Sequence, residues 1–117
     1  MDNAKILILA ILNSRDSDET ISSLTENGFS VTVLGTTGGF LKQKNTTLLI
    51  GTNTDSCEKV KSILREKAGV REEPDFNSVF YASSLEASIA MHSIPPIMHT
   101  VGGVTAFTIK LDGMEKF

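Results

Sequence analysis

Residues 6–12 read Ile-Leu-Ile-Leu-Ala-Ile-Leu, an unbroken apolar run between polar neighbours. The run is too short for a typical helix, and a strand with one wet face would alternate. It therefore specifies a central β-strand buried on both faces. Counted from Ala4, the apolar stretch covers nine residues and is interrupted only by Lys5. That length does not span a bilayer. No small-residue cleavage site separates it from the acidic stretch beyond, so neither a signal peptide nor a membrane anchor is expected.

Helical and extended signals then follow in turn. Asp16-Ser17-Asp18-Glu19 places carboxylates where a helix N-terminus carries partial positive charge, with Glu19 spaced from Asp16 as in a capping box. Ile21 and Leu24 lie one turn apart, and Asn27-Gly28 closes this first helix with a glycine suited to the left-handed C-cap. Phe29, Val31 and Val33 alternate with Ser30 and Thr32, which predicts a second strand ending near Gly35, with one side toward solvent or a partner. Residues 36–45 are rich in turn formers, and residues 46–51 return as β-branched and aliphatic, so a third strand pairs with the second across a long loop. Asn53-Thr54-Asp55 introduces a second helix whose Cys57, Val60, Ile63, Leu64 and Ala68 share one face, with Gly69 as its stop.

Residues 70–98 show no clean period, and Pro95-Pro96 forbids regular structure around it, so this segment reads as a long excursion. Two extended runs, residues 97–101 and 104–111, are joined by Gly102-Gly103 and are expected to complete the sheet. The order is β-α-β-β-α-β, the α+β ferredoxin-like arrangement of an antiparallel sheet with two helices on one face. A length of 117 residues suits one domain with one core. Residues 1–117 are thus expected to be a single domain carrying a long flexible loop at about residues 70–98. Loops of that length are lids, binding loops or disordered segments.

Composition narrows the function. Hydrophobic residues make up 40% and charged residues 21%, which is globular rather than disordered. A formal net charge of -3, with no cluster of Lys and Arg among aromatics, argues against long DNA or RNA as a partner. The single cysteine, Cys57, has no internal partner for a disulfide, which favours the cytoplasm.

Groups able to do chemistry do not converge in the sequence. His92 and His99 flank Pro95-Pro96 without the short helical spacing of a metal pair or a third ligand at a diagnostic distance, so no metal site is expected. Cys57 sits on the buried face of the second helix, where a thiol behaves as a small hydrophobe. The carboxylates gather at helix starts and at Glu72-Glu73, where capping and solvation account for them.

Thr37-Gly38-Gly39-Phe40 is different, because adjacent glycines let backbone amides approach an anion or a planar ligand while phenylalanine offers a stacking face. A tight hairpin turn needs the same glycines. The segment lacks the Walker lysine and the three-glycine dinucleotide fingerprint. Asn45 suits a base edge, since an amide both donates and accepts, and it suits turns equally. Gly102-Gly103 either leaves room for a ligand or forms a bulge.

Taken together, Thr36-Thr37-Gly38-Gly39-Phe40-Leu41, Asn45-Thr46-Thr47, Gly51, Val101-Gly102-Gly103 and the terminal Phe117 resemble the PII-like cyclic di-AMP receptor proteins. The similarity runs in order through the chain, including Asp16, Phe29, Thr32, Arg71-Glu72 and the long loop. The resemblance implies a non-enzymatic PII-like homotrimer that binds a cyclic dinucleotide in each cleft between neighbouring subunits, with the long loop facing a protein partner. It implies a small-molecule nucleotide as ligand, no cofactor and no membrane insertion.

Carried over by position, Phe40 would stack on a base, Thr32 and Asn45 would bond a base edge, and backbone at Leu41 and Gly51 would hold the nucleotide beside a wall of Gly38 and Gly39. Thr36, Thr37, Gly102, Gly103 and Lys116 complete the candidate site. Departures from the family pattern are Ser30 for an arginine near the phosphates, Gly28 for an asparagine, Lys44 for a glycine and Lys116 for a penultimate glutamine. Lys44 and Lys116 are the cations that would compensate for Ser30. The competing reading is a ligand-independent trimeric adaptor, and an enzyme with its site in the same subunit clefts is the third.

Overall fold

The apolar run becomes strand β1, Ile6–Asn13, in a computed structural model that describes residues 5–37, 44–75 and 97–117. A 3-10 turn at Ser14–Asp16 and helix α1, Ser17–Glu26, lead to strand β2, Ser30–Thr37. Strand β3, Asn45–Thr52, is followed by helix α2, Cys57–Ala68, then by strands β4, Arg71–Asp75, β5, Ile97–Val101, and β6, Val104–Lys110. The chain divides into two units, residues 1–70 with 102–117, and residues 71–101.

In the first unit four strands form one sheet in the order β2-β3-β1-β6, and every neighbouring pair is antiparallel. Alternate residues Ile6, Ile8, Ala10 and Leu12 of β1 are buried, as are Leu48 and Ile50 of β3. They form one cluster with Leu24 of α1 and with Cys57, Val60, Ile63, Leu64 and Ala68 of α2, so both helices lie on the same face. Ile8, Leu24, Leu48 and Ile50 are wholly enclosed, and burial of each such side chain stabilises the fold by about 1.5–3 kcal/mol. The βαββαβ order, the strand order and the one-sided helices make this the expected ferredoxin-like fold.

The other face of the sheet is less covered. Leu7, Leu9 and Ile11 of β1 are only half-buried. Their neighbours on β6 include Ile109, opposite Leu7, and Phe107, opposite Leu9. These are 42% and 52% exposed. Among the described residues, the expected burial of the central strand on both faces is therefore met on one face.

Several local expectations need correction. Asp16 makes no side-chain capping bond to α1, because it lies in the 3-10 turn with φ -97 and ψ -4 rather than in the extended conformation of an N-cap. Its carbonyl instead accepts a hydrogen bond from Thr20 Oγ1 at 2.7 Å. Strand β2 does not stop at Gly35. A register shift between Val33 and Gly35 absorbs the irregularity, Gly35 takes φ +136, and pairing continues to Thr37.

The larger correction concerns residues 97–101. They do not join the main sheet but pair antiparallel with β4 in a separate two-stranded sheet, from Arg71 opposite Val101 to Asp75 opposite Ile97. Extended propensity makes a strand without choosing its partner. Gly102 and Gly103, at φ +81 and +125, turn the chain after β5, and the Gly103 N–H donates to the Ala68 carbonyl at 2.8 Å. Only β6 then enters the main sheet.

Helix α2 follows the sequence closely. Its buried residues are the predicted face, and Asn53 Oδ1 accepts the Ser56 N–H at 2.7 Å just before the first turn. Gly69 ends it for a reason other than a left-handed φ. Its φ is -68, and a Cβ there would run into the Arg65 carbonyl oxygen that accepts its N–H.

A candidate ligand site on the β2–β3 hairpin

The antiparallel register decides which candidate residues meet. On β3, Thr46, Leu48, Ile50 and Thr52 are buried on the helix side, which leaves Asn45, Thr47, Leu49 and Gly51 on the open face. Thr32 lies opposite Leu49 and Ser30 opposite Gly51, whereas Thr36 and Thr37 lie opposite Thr46 and Asn45. Gly38, Gly39, Phe40 and Leu41 fall outside the described residues.

The described candidates thus form two groups at opposite ends of the hairpin. Thr36, Thr37 and Asn45 mark the loop end, and Thr32 and Gly51 lie toward the other. Asn45 and Gly51 stand six residues apart on β3, which at the rise of a strand is about 20 Å. No single base touches both ends. Touching both would take a ligand with two bases, or one lodged between copies that present different ends.

Asn45 is placed by its neighbours. The Ser14 N–H donates to the Lys44 carbonyl at 2.9 Å, and Ser14 Oγ and Thr46 Oγ1 share a hydrogen bond of 2.8 Å. The turn after β1 therefore clamps β3 on both sides of Asn45. Directly across the ladder stands Asn13. Both are half-buried on the open face, and among the described residues neither side-chain amide has a hydrogen-bond partner. Asn13 carries no sequence signal, since it closes an apolar run and only the β1–β3 register brings it beside Asn45.

At the other end, a concavity of about 330 Å³ opens between the α1–β2 turn, the end of β3 and the start of α2. Gly28, Ser30, Gly51, Asn53, Ser56 and Lys59 are among its lining residues. Gly28 has φ +85, and nothing lies within 4 Å of the Cβ a larger residue would add, so the chain turn and not crowding accounts for the glycine.

The remaining candidates are more scattered. Gly102 and Gly103 precede β6 at the end where Val104 pairs with Leu12, close in register to Asn13. Their positive φ values meet a backbone need. Lys116 is exposed in the irregular tail after β6, on the opposite sheet edge from β2, and the chain does not bring it to the hairpin by strand order. Lys44 is at the loop end, beside Asn45.

Among the groups weighed for catalysis, His99 and the Glu72-Glu73 pair share the β4–β5 ladder. Cys57 is buried in the core. His99 is exposed on β5 opposite Glu73, while Glu72 accepts a hydrogen bond from Thr100 Oγ1 at 2.5 Å. His92 lies outside the described residues. Among the described residues no cluster of three or more His, Cys, Asp or Glu is placed to hold a metal, and no helix is long and apolar enough to cross a membrane.

The family model of the cyclic-di-AMP receptors matches residues 5–117. The crystal structure of a functionally unknown protein from Pediococcus pentosaceus is similar with a TM-score of 0.76 and 28% identity, over 99% of this chain and 100% of that one.

Proposed function

Because the chain belongs to the cyclic-di-AMP receptor family, we propose that it is a cytoplasmic PII-like signalling protein that binds cyclic di-AMP without transforming it. The ligand lies in clefts between subunits of a homotrimer, and residues 70–98 relay its presence to a protein partner. The observation that carries this reading is that the family match extends from residue 5 to residue 117, so it takes in the β2–β3 hairpin, the two-stranded sheet and the tail. The receptor family is one of binding and signalling.

The geometry supports the assembly and the ligand class. An apolar sheet face with Phe107 and Ile109 exposed invites a second copy, since burial of such surface drives association. Candidate residues at both ends of the hairpin suit a ligand with two bases. Asn13 and Asn45 together offer amide donors and acceptors that are unengaged among the described residues and suit a base edge.

The adaptor reading is favoured by Gly28, Ser30 and Lys116, which replace the polar groups the family resemblance implies. Calorimetric titration with cyclic di-AMP, set against cyclic di-GMP, ATP and AMP, separates the two. The receptor binds cyclic di-AMP selectively and loses it on Phe40→Ala; silence with all four ligands makes the protein an adaptor.

A further inference from the structure

We propose that Lys59 is the cation through which this chain holds a phosphodiester of its ligand, in the concavity beside Ser30 and Gly51. The inference rests on the receptor reading and adds to it a residue that neither the sequence motif nor the family match assigns.

A cyclic dinucleotide carries two phosphodiester anions, and a chain of formal net charge -3 offers them no general attraction. A local cation is required. Lys59 is the only charged side chain among the described residues lining the concavity, and Ser30, Asn53 and Ser56, which also line it, are neutral hydrogen-bonding groups. Gly51, directly opposite Ser30 in the ladder, ties this concavity to the hairpin site.

Lys59 is also uncommitted. Lys61 pairs with Glu58 at 3.4 Å, Lys67 approaches Glu66 at 4.0 Å, and Arg71 pairs with Glu73 at 3.0 Å. Asp55 lies four residues before Lys59, in the turn that leads into α2, close enough in sequence to pair with it. Among the described residues, however, Lys59 has no ion pair with it or with any other carboxylate. An ammonium on a flexible stem is a mobile point charge, which suits a phosphodiester approached from the side of a cleft. The alternatives are placed elsewhere. Lys44 is at the other end of β3, seven residues from Gly51, about 23 Å along the strand. Lys116 follows the opposite edge strand.

The test is calorimetric titration with cyclic di-AMP of the wild-type protein and of Lys59→Gln, Lys59→Arg and Lys61→Gln, each at low and high salt. Lys59→Gln is expected to weaken binding by about tenfold to a hundredfold, the value of a charge-assisted hydrogen bond, and to reduce its salt dependence. Lys61→Gln should bind nearly as the wild type does, and Lys59→Arg should keep the salt dependence that Lys59→Gln loses. A Lys59→Gln protein that binds as tightly as wild type, with the same salt dependence, overturns the inference and leaves the receptor reading standing. A folded wild-type protein that gives no binding at all overturns the receptor reading, and this inference falls with it.

Discussion

Asn45 owes its position to Ser14, which bonds both the Lys44 carbonyl and the Thr46 hydroxyl and leaves the amide between them unengaged among the described residues. Its removal should therefore cost ligand and not fold. Asn45→Ala is expected to weaken cyclic di-AMP binding about fivefold to tenfold per lost hydrogen bond, with a thermal midpoint close to that of wild type. Calorimetry and a melting curve together check this, and unchanged affinity would remove Asn45 from the site. Asn45 was legible in the sequence because it follows the Gly38-Gly39-Phe40 segment at motif spacing. Asn13 and Lys59 were not. Asn13 meets Asn45 only through strand register, and Lys59 reaches the concavity only because α2 starts beside the α1–β2 turn. Contacts made by the fold leave no local pattern.

Among the elements, α2 was the most legible, since Cys57, Val60, Ile63, Leu64 and Ala68 recur at the helical period and all five are buried. Its end was legible as a glycine, but the reason was not. A Cβ at Gly69 collides with backbone, and backbone cannot rotate away as a side chain can. Gly69→Ala should accordingly destabilise the protein by ~1–3 kcal/mol, read as a lower denaturant midpoint, although alanine is ordinarily the better helix former. A midpoint equal to or above wild type would show that the α2–β4 junction relaxes. Strand β4 was the least legible element. Arg71-Glu72-Glu73-Pro74-Asp75 has neither alternation nor β-propensity, and its pairing with Ile97–Val101 joins segments far apart in sequence. The same distance explains why β5 was expected in the main sheet.

At the scale of the whole molecule, the half-buried Leu7, Leu9 and Ile11 and the exposed Phe107 and Ile109 make one apolar face that the other described residues do not cover. The apolar run at residues 6–12 already asked for burial on both sides, and the second and third copies of the proposed trimer would meet that demand. Phe107→Glu places a charge in this face and should convert the assembly to monomers by light scattering while the helical circular dichroism persists; an unchanged mass would place the subunit contacts elsewhere. Ligand binding is expected to raise hydrogen-exchange protection within residues 70–98, and unchanged protection at saturating cyclic di-AMP would sever that segment from the response. Native mass spectrometry of the protein with cyclic di-AMP tests trimer and receptor in one spectrum. The account predicts three chains carrying three ligands, reduced in occupancy by Phe40→Ala; a monomer, or a trimer that stays empty at saturating ligand, would contradict it.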